Sequence, residues 1–350
     1  SGKRDQAVRD RDAGEIPAPE QAQRQLDAAL AQPVAEHRHH AARAIVAEHL
    51  AGLADAAAEL SQRYREERRD GALHVGSRRD ALAYLAVRLP ATYAAVRASL
   101  AATAQACPDF APKTMLDIGA GPGTALWAAA DCWPELSDAL LIEASPVFRE
   151  CGEQLATDAP LPRAVWRSAD IAKDDIEGPP HDLVTLAYVL NELAPDARPQ
   201  ALQRLWQMTA GLLVIVEPGT PAGWQRILAA RRQMIDAGAH VIAPCPHAHD
   251  CPIKPPDWCH FAERVARSRL HRQAKGAEVP WEDEKFSYVA LSRTPVPSAG
   301  ARVIARPRKA SGRVTLKLCR PDGTAGEELI SRRDGERYKR ASRSDWGETL

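Results

Sequence analysis

From residue 112 onward, the chain alternates short apolar segments with longer, more polar segments of helical character. The apolar segments occupy residues 114–118, 139–143, 164–168, 182–188 and 212–217. A strand inside a parallel sheet is a short, nearly continuous apolar run, and the crossover to the next parallel strand is usually a helix. This alternation predicts the α/β class, with a doubly wound, Rossmann-like parallel sheet.

Flanking segments complete the predicted organisation. Residues 286–292 and 313–318 alternate apolar with polar side chains, which predicts a hairpin that closes a seven-stranded sheet with an antiparallel last strand. Before the sheet, the chain is Ala-rich and helical in pattern, and Ser77 and Asp80 have the spacing of a capping box. We divide the chain into an N-terminal helical region (1–110), a ligand-binding core (111–240), a Cys-rich insertion with a basic stretch, placed between the fifth and sixth strands (241–280), and C-terminal strands with a polar, basic tail (281–350).

The composition is that of an ordinary globular protein. Apolar residues make up 45% of the 350 residues and charged residues 26%, which argues against a mostly disordered or fibrous chain. The longest apolar run, residues 208–216, is less than half a membrane span, so we expect no membrane segment. The first residues, SGKRDQAVRDRD, contain no hydrophobic signal core, which favours a cytoplasmic protein.

A glycine-rich loop directly follows the first predicted strand. It contains Asp117, Gly119, Gly121 and Gly123 in the string LDIGAGPGT. Glycine is needed where the backbone turns tightly and passes close to a ligand. Glu143 ends the second predicted strand, where a carboxylate can accept hydrogen bonds from both ribose hydroxyls. These residues predict a nucleoside site, and a nicotinamide cofactor is the weaker interpretation because the dinucleotide fingerprint G-x-G-x-x-G has a different spacing.

The spacing D-x-G-x-G-x-G resembles the first motif of class I S-adenosylmethionine-dependent methyltransferases. The resemblance implies that Asp117 lies near the cationic methionine end of the ligand, that Glu143 binds the ribose, and that Asp170 and Ile171 contact the adenine. Asn191 follows the fourth predicted strand, where methyl acceptors usually sit in this fold, and it is a further candidate for cofactor binding. Capping of the next helix is the alternative role for Asn191, and no catalytic base can be named.

Four of the seven cysteines form a candidate metal site. Cys245, Cys251 and Cys259 fall within fifteen positions of a proline-rich segment, and Cys319 follows sixty residues later. In a reducing cytosol, such thiols are metal ligands more often than disulfides. The wide spacing favours a [4Fe-4S] cluster, but four thiolates also bind zinc, which stays open. Histidines of the same segment are alternatives to Cys319 as the fourth ligand: His247, His249 and His260.

Basic residues are concentrated in the second half of the chain. The whole chain has 46 basic and 46 acidic residues, whereas residues 301–343 contain thirteen basic residues and five acidic ones. A second basic stretch, which on a helix would present a broad basic surface, carries Arg264, Arg267, Arg269, Arg272 and Lys275. Regional basicity is the electrostatic footprint of a nucleic-acid partner, although a general preference for arginine on the surface is the simpler alternative.

The strings LDIGAGPGT, DLVTLAYVLNEL, VIVEPGT and especially CPHAHDCPIKPPDWCHF resemble the methyltransferase-like small-ribosomal-subunit assembly factors of mitochondria and their bacterial relatives. The likeness covers roughly residues 80–320. It implies a class I methyltransferase fold with an inserted iron-sulfur cluster held by Cys245, Cys251, Cys259 and Cys319, and binding to small-subunit ribosomal RNA. Three functions stay open: an RNA methyltransferase, a non-catalytic assembly factor and, less favoured, a small-molecule methyltransferase.

Overall fold

The computed structural model describes residues 42, 53–66, 75–157, 159–269, 271–272, 278–297 and 300–350. Most of the predicted N-terminal helical region before residue 75, and Lys275 of the basic stretch, lie outside these residues. Three N-terminal helices are described, α1 (Leu53–Arg65), α2 (Arg78–Val87) and α3 (Leu89–Ala106). The capping box is confirmed, because the Ser77 hydroxyl accepts from the Asp80 amide at 3.2 Å and the Asp80 carboxylate accepts from the Ser77 amide at 3.1 Å.

The parallel half of the main sheet lies where the apolar segments predict it. Its strands are β1 (Thr114–Ile118), β2 (Asp138–Ile142), β3 (Arg163–Arg167), β4 (His181–Ala187) and β5 (Thr209–Pro218). Helices α4 (Thr124–Cys132), α5 (Pro146–Ala156) and α6 (Arg198–Gln207) lie in the crossovers, and α7 (Pro221–Asp236) follows β5. Because β1 is paired with β2 on one side and β4 on the other, the strand order reverses at β1.

Three more strands complete the main sheet: β6 (His240–Ala243), β7 (Phe261–Ala266) and β8 (Trp281–Ser292). β8 is antiparallel and lies between β5 and β6, giving the order β3-β2-β1-β4-β5-β8-β6. β7 pairs with the first half of β8 beyond the end of β5. A parallel sheet closed by an antiparallel strand inserted before the edge is the class I methyltransferase fold, so this part of the prediction is confirmed.

The predicted closing hairpin is wrong. The segment around residues 313–318 forms β11 (Arg313–Cys319), which belongs to a second, antiparallel sheet with β9 (Arg302–Val303), β10 (Arg308–Ala310) and β12 (Ala325–Ser331). Helix α8 (Glu336–Arg343) packs on this sheet, so the polar tail is folded as a strand and a helix. Alternation shows that one face of a strand is buried but not which element covers it, and here Ala341 of α8 contributes to the covering layer.

Two further expectations need correction. The Cys-rich insertion follows β6 rather than the fifth strand, because the short segment His240–Ala243 is itself a strand of the main sheet. The basic stretch begins as β7 and not as a helix, since Phe261 and Val265 are buried against the core while Arg264 faces outward. Among the described residues, no helix is long and apolar enough to cross a membrane.

Candidate functional site

A cavity of about 440 Å³ lies at the carboxyl ends of β1, β2 and β4, where the strand order reverses. Six of the eight predicted cofactor-binding residues line it: Asp117, Gly119, Gly121, Glu143, Asp170 and Ile171. Its volume is in the range of sites for small-molecule cofactors. The structure therefore brings most of the predicted site together in one place.

The glycine loop needs residues without side chains. Gly119, Gly121 and Gly123 all have positive φ, at 64°, 54° and 82°. A Cβ at Gly119 would lie 2.4 Å from Val189 Cγ2, and one at Gly123 would lie 3.0 Å from the Trp166 ring. The loop is thus fixed by backbone conformation and by packing, and it leaves the floor of the cavity open.

Glu143 joins the loop to the end of β2. One carboxylate oxygen accepts from the Gly121 amide at 2.8 Å and the other from the Ser145 amide at 2.7 Å. Burial raises the pKa of Glu143, and the two backbone hydrogen bonds oppose that rise. A carboxylate has about four lone-pair positions, so both oxygens can accept a further hydrogen bond from a ribose hydroxyl.

Asp117, which lies two residues before the first glycine of the loop, provides a second buried carboxyl group. Its Oδ1 accepts from the Thr185 hydroxyl at 2.6 Å, and its Oδ2 is buried with no hydrogen-bond partner. Burial, with a smaller contribution from Glu143, raises the pKa of Asp117 to about 7. A buried oxygen without a partner is satisfied by a ligand that donates a hydrogen bond or carries positive charge.

The lining of the cavity is acidic. Asp117, Glu143, Asp170 and Glu192 all contribute to it, and Lys173 of the lining is paired with Asp170 at 2.9 Å. Coulomb attraction makes such a cavity a better host for a cationic nucleoside than for the pyrophosphate of a dinucleotide. The residues present therefore fit S-adenosylmethionine, which carries a sulfonium, better than a nicotinamide cofactor.

Two predicted cofactor residues lie outside the lining. Gly123 packs against Trp166 and Leu141 beneath the loop instead of facing the cavity. Asn191 is buried in the turn after β4. It does not cap α6 either, because the N-cap of that helix is Ala197. The contact of Gly123 and Asn191 with the ligand therefore stays a prediction, because neither residue lines this cavity.

The part of the cavity formed by the N-terminal helices and the end of β4 contains residues that the sequence did not reveal. Tyr84 and Thr92 of the N-terminal helices line it together with Tyr188, which has a positive φ of 61°. The Tyr188 hydroxyl donates to Glu284 of β8 at 3.1 Å, and Arg88 donates to the same carboxylate at 3.2 and 3.3 Å. These groups come from segments far apart in the chain, so no local spacing could have indicated them. A positive φ in a tyrosine is a strained conformation of the kind that clusters at functional sites.

The four predicted metal ligands line a second cavity, of about 30 Å³. Cys245, Cys251 and Cys259 come from the insertion, and Cys319 comes from the end of β11 in the second sheet. Burial, followed by the nearby Cys245 and Cys251, raises the pKa of Cys319 to about 12. Burial also raises the pKa values of Cys251 and Cys259, so all three of these thiols are protonated at neutral pH.

Several hydrogen bonds fix the insertion around this cavity. Arg231 of α7 donates to the carbonyls of His247 at 2.7 Å and His249 at 2.8 Å, and Arg302 of β9 donates to the Pro244 carbonyl at 3.0 Å. The Cys319 sulfur lies 3.4 Å from Nε2 of His247. Within the described part of the chain, no three His, Cys, Asp or Glu side chains are arranged to hold a metal ion. The predicted ligands are therefore gathered at one cavity, and the metal centre itself stays a prediction.

The other histidines of the segment are placed differently. His260 stacks on the Trp258 ring, with centroids 5.0 Å apart, and does not line the cysteine cavity. His249 stacks on His247 at 5.7 Å. Of the three histidines, His247 alone lines the cavity among the described residues, and burial lowers its pKa, which keeps its imidazole neutral.

Comparison with known proteins identifies relatives of this chain. A family model described as mitochondrial small ribosomal subunit Rsm22 matches residues 78–350. The human protein named "Ribosome assembly protein METTL17, mitochondrial" is 30% identical over 294 residues, which cover 77% of this chain and 62% of the human protein. The Schizosaccharomyces pombe protein named "Rsm22-cox11 tandem protein 2, mitochondrial" is 22% identical over 325 residues, which cover 76% of this chain and 42% of the yeast protein.

The chain thus spans less than two thirds of the length of these relatives. Their names state a mitochondrial location for the relatives, and a cytoplasmic location for this chain stays a prediction. Among solved structures, the magnesium protoporphyrin IX methyltransferase of Synechocystis PCC 6803 with bound SAM aligns with a TM-score of 0.39 and 13% identity. That alignment covers 67% of this chain and 91% of the methyltransferase.

Proposed function

Because the chain belongs to the mitochondrial small ribosomal subunit Rsm22 family, we propose that it is an assembly factor of the small ribosomal subunit that binds S-adenosylmethionine. The family match carries this proposal, since it extends over both cavities and the second sheet. The acidic lining of the nucleoside cavity supports the choice of ligand, because carboxylates attract a sulfonium and repel pyrophosphate.

The residues around the nucleoside cavity have distinct roles in this proposal. Glu143 accepts hydrogen bonds from the ribose, and the unpartnered oxygen of Asp117 faces the cationic methionine end. Asp170 and Ile171 contact the adenine on the opposite side of the glycine loop. When bound, S-adenosylmethionine supplies an electrophilic methyl group.

Co-sedimentation with purified ribosomal subunits tests the assembly function. The chain is expected to sediment with small subunits and not with large ones, and Glu143→Ala is expected to abolish S-adenosylmethionine binding in calorimetry while leaving subunit binding intact when no S-adenosylmethionine is added. Failure to sediment with small subunits at low salt would contradict the proposal. Failure to bind RNA as well would favour a small-molecule methyltransferase.

Methylation of small-subunit RNA is a second candidate function, favoured by one observation. Glu192 lines the cavity together with Tyr188, and desolvation in the cavity raises its pKa to about 8, so its ionised form is a base strong enough to accept a proton from a methyl acceptor. Transfer of radiolabelled methyl groups to purified small subunits tests this function. Loss of transfer in Glu192→Gln with unchanged subunit binding would support it, whereas no transfer by the unaltered protein would leave the non-catalytic assembly factor.

We further propose that Cys245, Cys251, Cys259 and Cys319 hold a [4Fe-4S] cluster. The four thiols share one small cavity, and the cost of ionising buried thiols is offset when the thiolates bind a cationic centre. The cluster would connect the insertion to the second sheet. Anaerobic purification with absorbance spectroscopy and iron and zinc analysis tests the assignment, and a colourless protein with stoichiometric zinc would contradict it.

A further inference from the structure

The first half of β8 and the whole of β7 form a two-stranded ribbon, residues 261–266 and 281–285, that extends past the end of β5. Side chains alternate between the two faces of the ribbon, because directly opposed residues of an antiparallel pair share a face. We call the face that carries Trp281, Asp283 and Lys285 the outer face. On β7 the outer face carries Ala266, Arg264 and Ala262, which lie opposite those three residues.

The other face of the ribbon is anchored to the body of the protein. Glu284 is paired with Arg88, which lies between α2 and α3, at 3.2 Å. Glu282 is paired with Arg267 at 3.0 Å, and the ribbon packs against α3. Glu282, Glu284 and Arg267 are therefore engaged in ion pairs on this face. The outer face points to the solvent.

An exposed aromatic ring lies on the outer face. Trp281 is 39% exposed, and the alanine opposite it, Ala266, is too small to cover the indole. The Arg264 guanidinium lies 5.6 Å from the centre of the indole ring and is held there by Asp283 at 2.8 Å. An arginine fixed beside an indole forms a cation–π pair, and both groups have flat faces on which a nucleobase can stack.

Two further basic side chains, Lys285 and Arg306, lie near this ring or its ion pair. Lys285 is exposed on the same face, and Arg306, from the segment between β9 and β10, is also exposed. The pKa of Asp283 is lowered by the hydrogen bond from Arg264 and by the charges of Arg306 and Lys285. Among the described residues of the ribbon, Asp283 is the one acidic side chain on the outer face, whereas the three glutamates lie on the opposite face: Glu263, Glu282 and Glu284. The charge of Arg306 reaches Asp283 from the segment after residue 300.

We propose that the outer face of the ribbon is a contact site for single-stranded RNA, with one base stacked at Trp281 and Arg264 and neighbouring phosphates bound by Lys285 and Arg306. An exposed aromatic ring with a fixed arginine beside it and further cations on the same face is the arrangement of stacking sites for single strands, whereas protein partners are usually bound by a larger apolar patch than Trp281 and Val279 supply. The inference rests on the proposed function, since it names the part of the surface that meets the RNA.

Fluorescence anisotropy with a labelled, unstructured RNA oligonucleotide tests the site in the full chain. Trp281→Ala is expected to weaken binding by about fivefold to a hundredfold, the range that one base–aromatic stack supplies. Trp281→Phe is expected to keep most of the affinity, because phenylalanine retains an aromatic face. Leu329→Ala, at a residue 62% exposed on β12, is the matched control and is expected to bind as the unaltered protein does.

Arg306→Ala tests the phosphate contact independently. It is expected to weaken binding to all RNA sequences and to reduce the slope of log affinity against log salt by about one. An unchanged slope would remove Arg306 from the site.

The outcomes separate this inference from the proposed function. If the unaltered chain binds RNA and small subunits while Trp281→Ala behaves like Leu329→Ala, the ribbon site is wrong and the proposed function stands. If Trp281→Ala weakens binding to small subunits but not to RNA, the ribbon contacts a ribosomal protein and the RNA assignment is wrong. If the unaltered chain binds neither, the proposed function fails and the ribbon site fails with it.

Discussion

Burial raises the pKa of Asp117 to about 7, so this carboxyl is partly protonated near neutral pH. A cationic ligand binds the ionised form, and the affinity for S-adenosylmethionine is therefore expected to fall as the pH drops below about 7. Asp117→Asn should lower the affinity about tenfold to a hundredfold, the effect of losing a hydrogen bond to a charged group. The variant should also bind with a weaker pH dependence in that range, because Glu192, whose pKa is raised to about 8, still titrates in the same cavity, and calorimetry on both sides of pH 7 measures the difference.

Adenosine is the control ligand for this prediction. It lacks the methionine end, so its affinity should change little with pH or in the Asp117→Asn variant. An S-adenosylmethionine affinity that is constant across the titration of Asp117 would show that this carboxylate does not face the cationic part of the ligand.

The conformation of the glycine loop can be tested with a matched pair of substitutions. Gly119 and Gly238 both have positive φ, but a Cβ would collide with Val189 at Gly119, whereas nothing lies within 4 Å at Gly238. Gly238→Ala is expected to lower the free energy of unfolding by about 1–2 kcal/mol, the cost of the left-handed conformation for an L-residue. Gly119→Ala should cost a further 1–3 kcal/mol or so from overpacking. Equal losses of unfolding free energy in Gly119→Ala and Gly238→Ala, measured by thermal unfolding, would mean that Val189 moves aside at no cost in free energy.

At the scale of elements, Glu284 of β8 connects the ribbon to the N-terminal helices. The side chains of Arg88 and Glu284 are only 21% and 14% exposed, so Glu284→Gln would leave a largely enclosed guanidinium without its counter-charge. The expected loss is roughly 1–3 kcal/mol in the free energy of unfolding, measured by urea denaturation. Glu327→Gln is the control, because its pair with Arg308 has side chains 54% and 65% exposed and should contribute little. Similar losses in both variants would contradict an enclosed pair.

Strand prediction succeeded where burial on both faces produced a continuous apolar run. The segments that became β1 and β4 are examples, because helices cover both sides of the sheet there. Prediction failed for β11, whose alternating pattern suits an edge of the main sheet as well as it suits the separate sheet it joins. The ribbon strand β7 was missed because its charged residues, Glu263 and Arg264, interrupt the short apolar pattern of Phe261 and Val265.

The residues of the nucleoside site were likewise predictable where they lie close together in the sequence, and not where they come from distant segments. The glycine loop and Glu143 were predictable, because the ligand-binding backbone and the ribose acceptor follow consecutive strands. Tyr188, Arg88 and Glu284 were not, since their contact depends on how β8 and the N-terminal helices pack. Residue type and spacing grouped the three cysteines of the insertion, and the family resemblance implied Cys319 as the fourth member. All four line one cavity, to which Cys319 comes from the second sheet.

At the scale of the whole molecule, Cys319 supplies the second sheet's thiol to a cavity that is otherwise lined mainly by the insertion, α7 and β8. If a cluster binds there, it links residues 300–350 to the methyltransferase core through its cysteine ligands. Cys319→Ser should then increase amide hydrogen exchange in β11 and β12 by roughly tenfold or more relative to the loaded protein. Cys132→Ser, at a half-buried thiol at the end of α4, is the control and should leave exchange in that sheet unchanged. Unaltered exchange in Cys319→Ser would show that the second sheet is held without the cluster.

β8 runs without a break from the middle of the main sheet to the tip of the ribbon. Its residue Glu284 holds the Tyr188 phenol at the nucleoside cavity, and Trp281 lies three positions away on the outer face. A nucleoside that displaces this phenol must also alter the carboxylate that anchors the ribbon. By thermodynamic reciprocity, if both the proposed cofactor and the proposed RNA bind in this way, occupancy at either end of the strand would change the affinity at the other end by the same factor.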